Sequence, residues 1–185
     1  MIMDALLLFD GSVSSGGTLS GAAITTAWAN PATPATYNST NTIDTSQLAS
    51  SASGYGRDIG IGDDLLLVVE ATVAITGSAN STLQIAIAGA PDNGSGSPGT
   101  FTVISQSPAY AVGTAGIAAG TELLRTPIPV SQASATPKFY QVQYTVGTAN
   151  ISAGSVLSAI VIDREALGPM MGYRSGIPSS SYQYM

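Results

Sequence analysis

The sequence reads R-D-I-G-I-G-D-D-L-L-L-V-V-E-A-T-V-A-I-T over residues 57–76, and this stretch decides the fold. From Leu65 onward every second residue is apolar, which is the period of a β-strand that covers a core with one face. The alternate positions are apolar only as far as Val68 and then turn polar. The stretch therefore predicts a central strand whose first half is buried on both faces.

Shorter stretches, either apolar runs or stretches with a two-residue period, surround this strand, and clusters of Gly, Pro, Asn and Ser separate them. They predict further strands at residues 2–9, 81–88, 100–106, 121–130, 138–147 and 155–163. Pro127 and Pro129 lack backbone donors, so the end of their strand is expected at an edge or a bulge. No stretch has the period of a helix. About eight strands with such turns predict an all-β protein, an antiparallel jelly roll or β-sandwich.

The turn and strand signals predict a single domain over residues 1–166, followed by an irregular tail at 167–185. Inside the domain, residues 11–56 read as a long loop insertion rich in Ser, Thr, Gly, Ala, Asn and Pro. Loops longer than about 12–15 residues are usually functional or disordered. Residues 22–28 and 40–44 are apolar enough for short strands or anchored turns within it.

Charge is scarce: charged residues make up 9% of the 185, and the net charge is −6. The sequence holds no cluster of Lys and Arg, so it predicts neither nucleic-acid nor anionic-membrane binding. No segment reaches the roughly 20 apolar residues of a membrane span. A surface with so few charges suggests that copies of the chain or a partner cover it. The alternative is a Ser- and Thr-rich surface that is hydrated without being charged.

The sequence offers little for catalysis, since it contains no histidine and no cysteine. The pairs Asp63–Asp64 and Asp163–Glu165 could serve an acid-pair hydrolase, but adjacent acids at strand ends are normally solvated turn residues. The stretch D-N-G-S-G from Asp92 lacks the spaced carboxylates of a calcium loop. Lys138, the single lysine, lies at no motif spacing. We predict a protein that is not an enzyme and that uses no cofactor and no metal.

Aromatic residues outside the predicted strands mark candidate partner contacts, because tyrosine and tryptophan are enriched at interfaces. Trp28 could instead be a buried anchor of the loop, and the tyrosine-bearing tail could be a frayed terminus. The candidate contact residues are Trp28, Tyr37, Tyr173, Arg174, Tyr182 and Tyr184.

Five segments resemble the jelly-roll capsid cement (decoration) proteins of tailed bacteriophages, in their order and rough spacing. They are M-I-M-D-A-L-L-L-F (1–9), N-T-I-D (41–44), R-D-I-G-I-G-D-D-L-L-L-V-V (57–69), N-S-T-L-Q-I-A-I (80–87) and Y-Q-V-Q-Y-T-V-G-T-A-N-I-S-A-G-S-V-L-S-A-I-V-I-D (140–163). The chain departs from the family pattern at residues 11–40, which are longer, and in the tail.

The resemblance implies a structural virion protein on the outer surface of an icosahedral head. Its expected partners are the major capsid protein, whose subunits it ties together, and further copies of itself in a dimer or trimer. The alternative is a sugar- or receptor-binding jelly-roll module of a phage tail or fibre, in which exposed Tyr and Trp side chains stack on sugars.

Overall fold

The computed structural model describes residues 7–13, 19–24, 35–44, 65–128 and 137–162. Within these ranges the chain forms β-strands and no α-helix. The strands are β1 (Leu8–Asp10), β2 (Ser12–Val13), β3 (Leu19–Ser20), β4 (Ala22–Ala23), β5 (Ala35–Asn38), β6 (Ile43–Asp44), β7 (Leu65–Gly77), β8 (Thr82–Ala90), β9 (Thr102–Gln106), β10 (Tyr110–Ala111), β11 (Glu122–Pro127), β12 (Phe139–Gly147) and β13 (Ile151–Ile162).

Two antiparallel sheets account for nearly all of these strands. The first sheet has the order β1-β13-β7-β11, and β4 also pairs with β13. The second sheet has the order β10-β8-β12-β5, in which β6 also pairs with β12 and β9 with β8. β2 and β3 form a separate two-stranded ribbon. The longest strands, β7 and β13 in one sheet and β8 and β12 in the other, lie at the centres.

The predicted central strand is confirmed as β7. Its buried face carries Leu65, Leu67, Val69 and Ala71, each at most 3% exposed, and Leu66 on the opposite face is also buried. Val68, on that opposite face, is partly exposed, so burial on both faces is confirmed at the start of the strand but not through its whole first half. Val73 breaks the pattern, since it is 56% exposed although it shares the parity of the core residues.

The exception at Val73 has a local cause in the pairing of β7 with β13. Ser155 lies opposite Val73, whereas the next residue, Val156, lies opposite Ala71. An irregularity of this kind adds a residue to one strand and changes the face on which the following side chains lie. A second shift follows, since Ala153 lies opposite Thr76 and Ser155 opposite Val73, and Ile75 is again completely buried. The alternation read from the sequence therefore fails only between the two shifts.

The second sheet contributes its alternate residues to the same core. Leu83, Ile85 and Ile87 of β8 are completely buried, and so are Val142 and Val146 of β12. These side chains form one apolar cluster with those of β7 and β13. The prediction of an all-β antiparallel sandwich is confirmed. The predicted loop insertion at residues 11–56 contains five short strands in its described part, and two of them, β4 and β6, lie in the stretches 22–28 and 40–44 that were apolar enough for strands.

Candidate interaction surface

A buried carboxylate joins the two sheets at one side of the sandwich. Asp10, at the end of β1, is 4% exposed. Its Oδ2 accepts hydrogen bonds from the Tyr144 hydroxyl of β12 (2.7 Å) and the Ser158 hydroxyl of β13 (3.1 Å). Its Oδ1 accepts from the backbone nitrogen (2.8 Å) and the hydroxyl (2.9 Å) of Thr40. Four donors therefore satisfy a carboxylate that water barely reaches.

Tyr144 remains a neutral donor in this network. Burial of its ring, and then the negative charge of Asp10, raise the pKa of the Tyr144 hydroxyl well above its ordinary value. The neutral phenol can donate to the carboxylate, which a phenolate could not do.

Backbone bonds from the turn after β5 close the same side of the sandwich. The Asn41 backbone nitrogen donates to the Phe9 carbonyl (2.9 Å), and its side-chain amide donates to the Leu8 carbonyl (3.1 Å). β5 and β6 are thereby held beside β1, which leaves the opposite side to the edge strands β9 and β11.

A hydrogen bond connects the edge strands β9 and β11, which differ in how they are protected against pairing with another chain. The Thr126 hydroxyl of β11 donates to the Ser105 hydroxyl of β9 (3.2 Å). β11 carries an ion pair between Arg125 and Glu122 (2.8 Å) and ends at Pro127. Charges and proline are the usual devices that keep a sheet edge from pairing with another chain.

β9 has none of these devices. Its sequence, T-V-I-S-Q, contains no charged residue and no proline, and Val103 and Ile104 are 47% and 38% exposed. β9 pairs with β8 along one side, and no described strand pairs with its other side. We call this strand the β9 edge. It presents a neutral strand with apolar side chains to any chain that approaches it.

The outer face of the second sheet, next to the β9 edge, is rich in carboxamides. Gln106 of β9 and Gln143 of β12 both lie opposite Ala86 of β8, and Asn38 of β5 lies opposite Gln143. The Gln141 and Gln143 amides lie 3.3 and 3.4 Å from the Asn38 oxygen. We call the set the amide face: Asn38, Gln84, Gln106, Gln141 and Gln143. Gln141 is only 6% exposed, whereas the other four are at least partly exposed and offer donors and acceptors without charge.

The connection from β8 to β9 folds around Asp92. Its Oδ1 accepts from the backbone nitrogens of Gly94 (2.8 Å) and Gly96 (3.0 Å), and its Oδ2 lies 3.2 Å from the Lys138 ammonium. The two backbone bonds, followed by the Lys138 side chain, lower the pKa of Asp92. Asp92 acts here as the organiser of a turn.

The structure places one of the predicted contact residues. Tyr37 lies in β5 opposite Tyr144 and packs, half-buried, against the apolar core. Its contact with a partner stays a prediction. The other candidates lie outside the described residues, as do both predicted carboxylate pairs: Trp28, Tyr173, Arg174, Tyr182, Tyr184, Asp63, Asp64, Asp163 and Glu165.

The described ranges contain no group of three or more His, Cys, Asp or Glu residues that could hold a metal ion. Among the same residues, no helix is long and apolar enough to cross a membrane. Sequence reasoning missed Asp10 and the β9 edge. The sequence does show that the strand at residues 100–106 is short and uncharged. It does not show that this strand lies at an edge, because the pairing partners of a strand cannot be read from its own residues.

Two antiparallel sheets around one apolar core define an all-β sandwich protein, here with a bare edge beside a neutral polar face. The family model of Bbp16 matches residues 15–161, and the chain belongs to the Bbp16 family. No curated protein matches the chain.

Proposed function

We propose that this protein is a capsid cement protein of a tailed bacteriophage. In this role it binds the outer surface of the icosahedral head, as a homo-oligomer, and stabilises contacts between subunits of the major capsid protein. The body is a jelly roll, and the attachment needs neither catalysis nor a cofactor.

The strand pairing supports the jelly-roll part of the proposal. Four antiparallel pairs are nested along the chain: β1 with β13, β5 with β12, β7 with β11, and β8 with β9. Successive pairs alternate between the first and the second sheet. A jelly roll is a double-sheet arrangement of this kind, in which one long hairpin is wound around a core, and it occurs in viral capsid and lectin domains.

The β9 edge is the single observation that carries the proposed attachment. A strand of a neighbouring protein can add to such an edge through backbone hydrogen bonds, while Val103 and Ile104 contribute apolar contacts. The proposed contacts of Trp28, Tyr37 and the tail residues would add to it. Each copy that binds only the assembled shell stabilises that shell by mass action. Several weak contacts in one oligomer act together through their high effective concentration.

The charge of the protein supports the outer surface as the location. With a net charge of −6, the chain is repelled by packaged DNA, which carries the same sign.

The test compares two valines that are both exposed but lie on different sheets. Val103→Lys places a charge on the β9 edge, whereas Val73→Lys places the same charge on the first sheet. Heads that lack the protein are mixed with each variant, sedimented, and heated until they rupture. We expect the wild type and Val73→Lys to bind and to raise the rupture temperature, and Val103→Lys to do neither. Equal rupture temperatures with and without the wild-type protein would refute the cementing role.

The amide face favours one alternative, a sugar-binding module of a phage tail or fibre. Carboxamides can donate to and accept from sugar hydroxyls without any charge. Binding of neutral glycans on an array, lost in Gln143→Ala and accompanied by no binding to heads, would support this alternative over the cement role.

A further inference from the structure

We infer that Asn93 is a modification site, at which the loop between β8 and β9 promotes spontaneous deamidation to aspartate and isoaspartate. Asn93 is the only asparagine in the sequence that is followed by glycine. Both residues are exposed, and a Cβ atom built on Gly94 would meet nothing within 4 Å. The reacting groups are therefore adjacent, open to water and free of steric shielding.

The loop holds the side-chain carbonyl of Asn93 in a polarised state. Asn93 Oδ1 accepts a hydrogen bond from the Ser95 backbone nitrogen (2.9 Å) and another from the Ser95 hydroxyl (2.6 Å). This pattern is an Asx turn, which folds the side chain forward over the following peptide. The same two donors stabilise the negative charge that develops on this oxygen when a nucleophile attacks the carbonyl carbon.

The nucleophile has a proton acceptor in place. The backbone nitrogen of Gly94 donates to Asp92 Oδ1 at 2.8 Å, which is within the range required of a general base. The surrounding backbone is fixed by bonds from Asn93 to the Ser97 carbonyl (3.0 Å) and from Gly99 to the Pro91 carbonyl (2.8 Å). Fixed geometry lowers the entropic cost of closing the ring.

The reaction proceeds in two balanced steps. The Gly94 nitrogen loses its proton and forms a bond to Cγ of Asn93, the bond from Cγ to Nδ2 breaks, and ammonia leaves with the transferred proton. The product is a five-membered succinimide. A water molecule then opens the ring at either carbonyl, which gives aspartate or isoaspartate. The net change is water consumed, ammonia released and one negative charge gained beside the Asp92–Lys138 pair.

Asn80 provides a control within the same chain. It is exposed, but the residue that follows it is Ser81, which is completely buried. The Ser81 backbone nitrogen donates to the Ser78 carbonyl (3.1 Å) rather than to a carboxylate. Asn80 therefore lacks both the open neighbour and the general base.

The experiment follows ammonia loss at each asparagine by peptide mapping and mass spectrometry. The full-length protein is incubated at physiological temperature and mildly alkaline pH, either native or unfolded in urea. We expect native Asn93 to react at least as fast as unfolded Asn93, and native Asn80 to react much more slowly than unfolded Asn80. Asp92→Asn keeps an acceptor oxygen but removes the base, and it should slow native Asn93 on the order of tenfold.

Ser95→Ala removes one of the two donors to the reacting carbonyl, so it should slow the native reaction several-fold and leave the unfolded rate unchanged. A native rate at Asn93 below the unfolded rate would overturn the inference, because the loop would then protect the residue. Asp92→Asn or Ser95→Ala variants that react as fast as the wild type in the native state would also overturn it.

Discussion

Asp10 links separate parts of the fold through one carboxylate, which contacts β12, β13 and the turn at Thr40. A buried carboxylate with four donors is stable only as long as all of them remain. The stabilisation is therefore sensitive to small chemical changes at this position.

Asp10→Asn tests this sensitivity with almost no change in shape. The amide cannot accept on both sides, so at least one buried hydroxyl loses its acceptor, and we expect a loss of roughly 1–3 kcal/mol in the free energy of unfolding. Urea denaturation measures it. Glu122→Gln, which breaks the exposed pair with Arg125, is the control and should cost less than about 1 kcal/mol. Similar losses in both variants would contradict the proposed importance of the network.

Tyr144 makes stability depend on pH in the alkaline range. Its pKa is raised in the folded state, so the folded protein keeps a proton that the unfolded chain loses above its ordinary pKa of 10.0. The stabilisation is fully present below that value and is lost as pH rises beyond it. We expect the urea midpoint to fall steeply above the ordinary tyrosine pKa, and Tyr144→Phe to flatten the slope. An unchanged slope would show that other groups control alkaline unfolding.

At the scale of elements, β7 offers a matched pair of valines four residues apart. Val69 is completely buried, whereas Val73 is 56% exposed. Val69→Asp buries an unpaired charge, which costs several kcal/mol in a domain whose total stability is roughly 5–15 kcal/mol. We expect Val69→Asp to prevent folding and Val73→Asp to fold normally, as judged by circular dichroism. A soluble, normally melting Val69→Asp variant would show that the buried face is assigned wrongly.

The elements also show how far sequence reasoning reached. β7, β8, β9 and β12 were predicted to within about two residues, because each combines a clear two-residue period with flanking turn residues. β13 starts earlier than predicted, at Ile151. The alternation is disrupted there by the positive φ of Gly154 (135°) and by the register shifts between β13 and β7. Two-residue strands such as β4 and β10 are too short to show a period at all.

The candidate surface was less predictable than the fold for a physical reason. The exposure of Val103 depends on β9 lying at an edge, and the edge depends on which strands pair across the whole chain. The sequence does not indicate that Asp10 is buried and hydrogen-bonded either, because its donors lie 30 to 148 positions away along the chain. The prediction for Tyr37 rests on its residue type, whereas its packing against the core depends on its position in β5.

For the whole molecule, the scarcity of charge predicts that thermal stability depends little on salt concentration. Among the described residues, the ion pairs Arg125–Glu122 and Lys138–Asp92 are both partly exposed, and such pairs contribute about 0–1 kcal/mol each. We expect molar sodium chloride to change the melting temperature little, whereas sodium sulfate should raise it by strengthening apolar burial. A large fall of the melting temperature in sodium chloride would mean that ion pairs stabilise the fold more than packing does.

The position of β13 has a consequence for the synthesis of the chain. β13 lies between β1 and β7, so among the described strands the earliest in the chain pairs in the first sheet only with the latest. Contacts between residues so far apart in sequence form slowly, because the entropy of closing a long loop is lost before these contacts stabilise the chain. During translation, the edges of β1 and β7 that pair with β13 therefore remain unpaired until Ile162 has emerged. The chain is most vulnerable to aggregation in that interval.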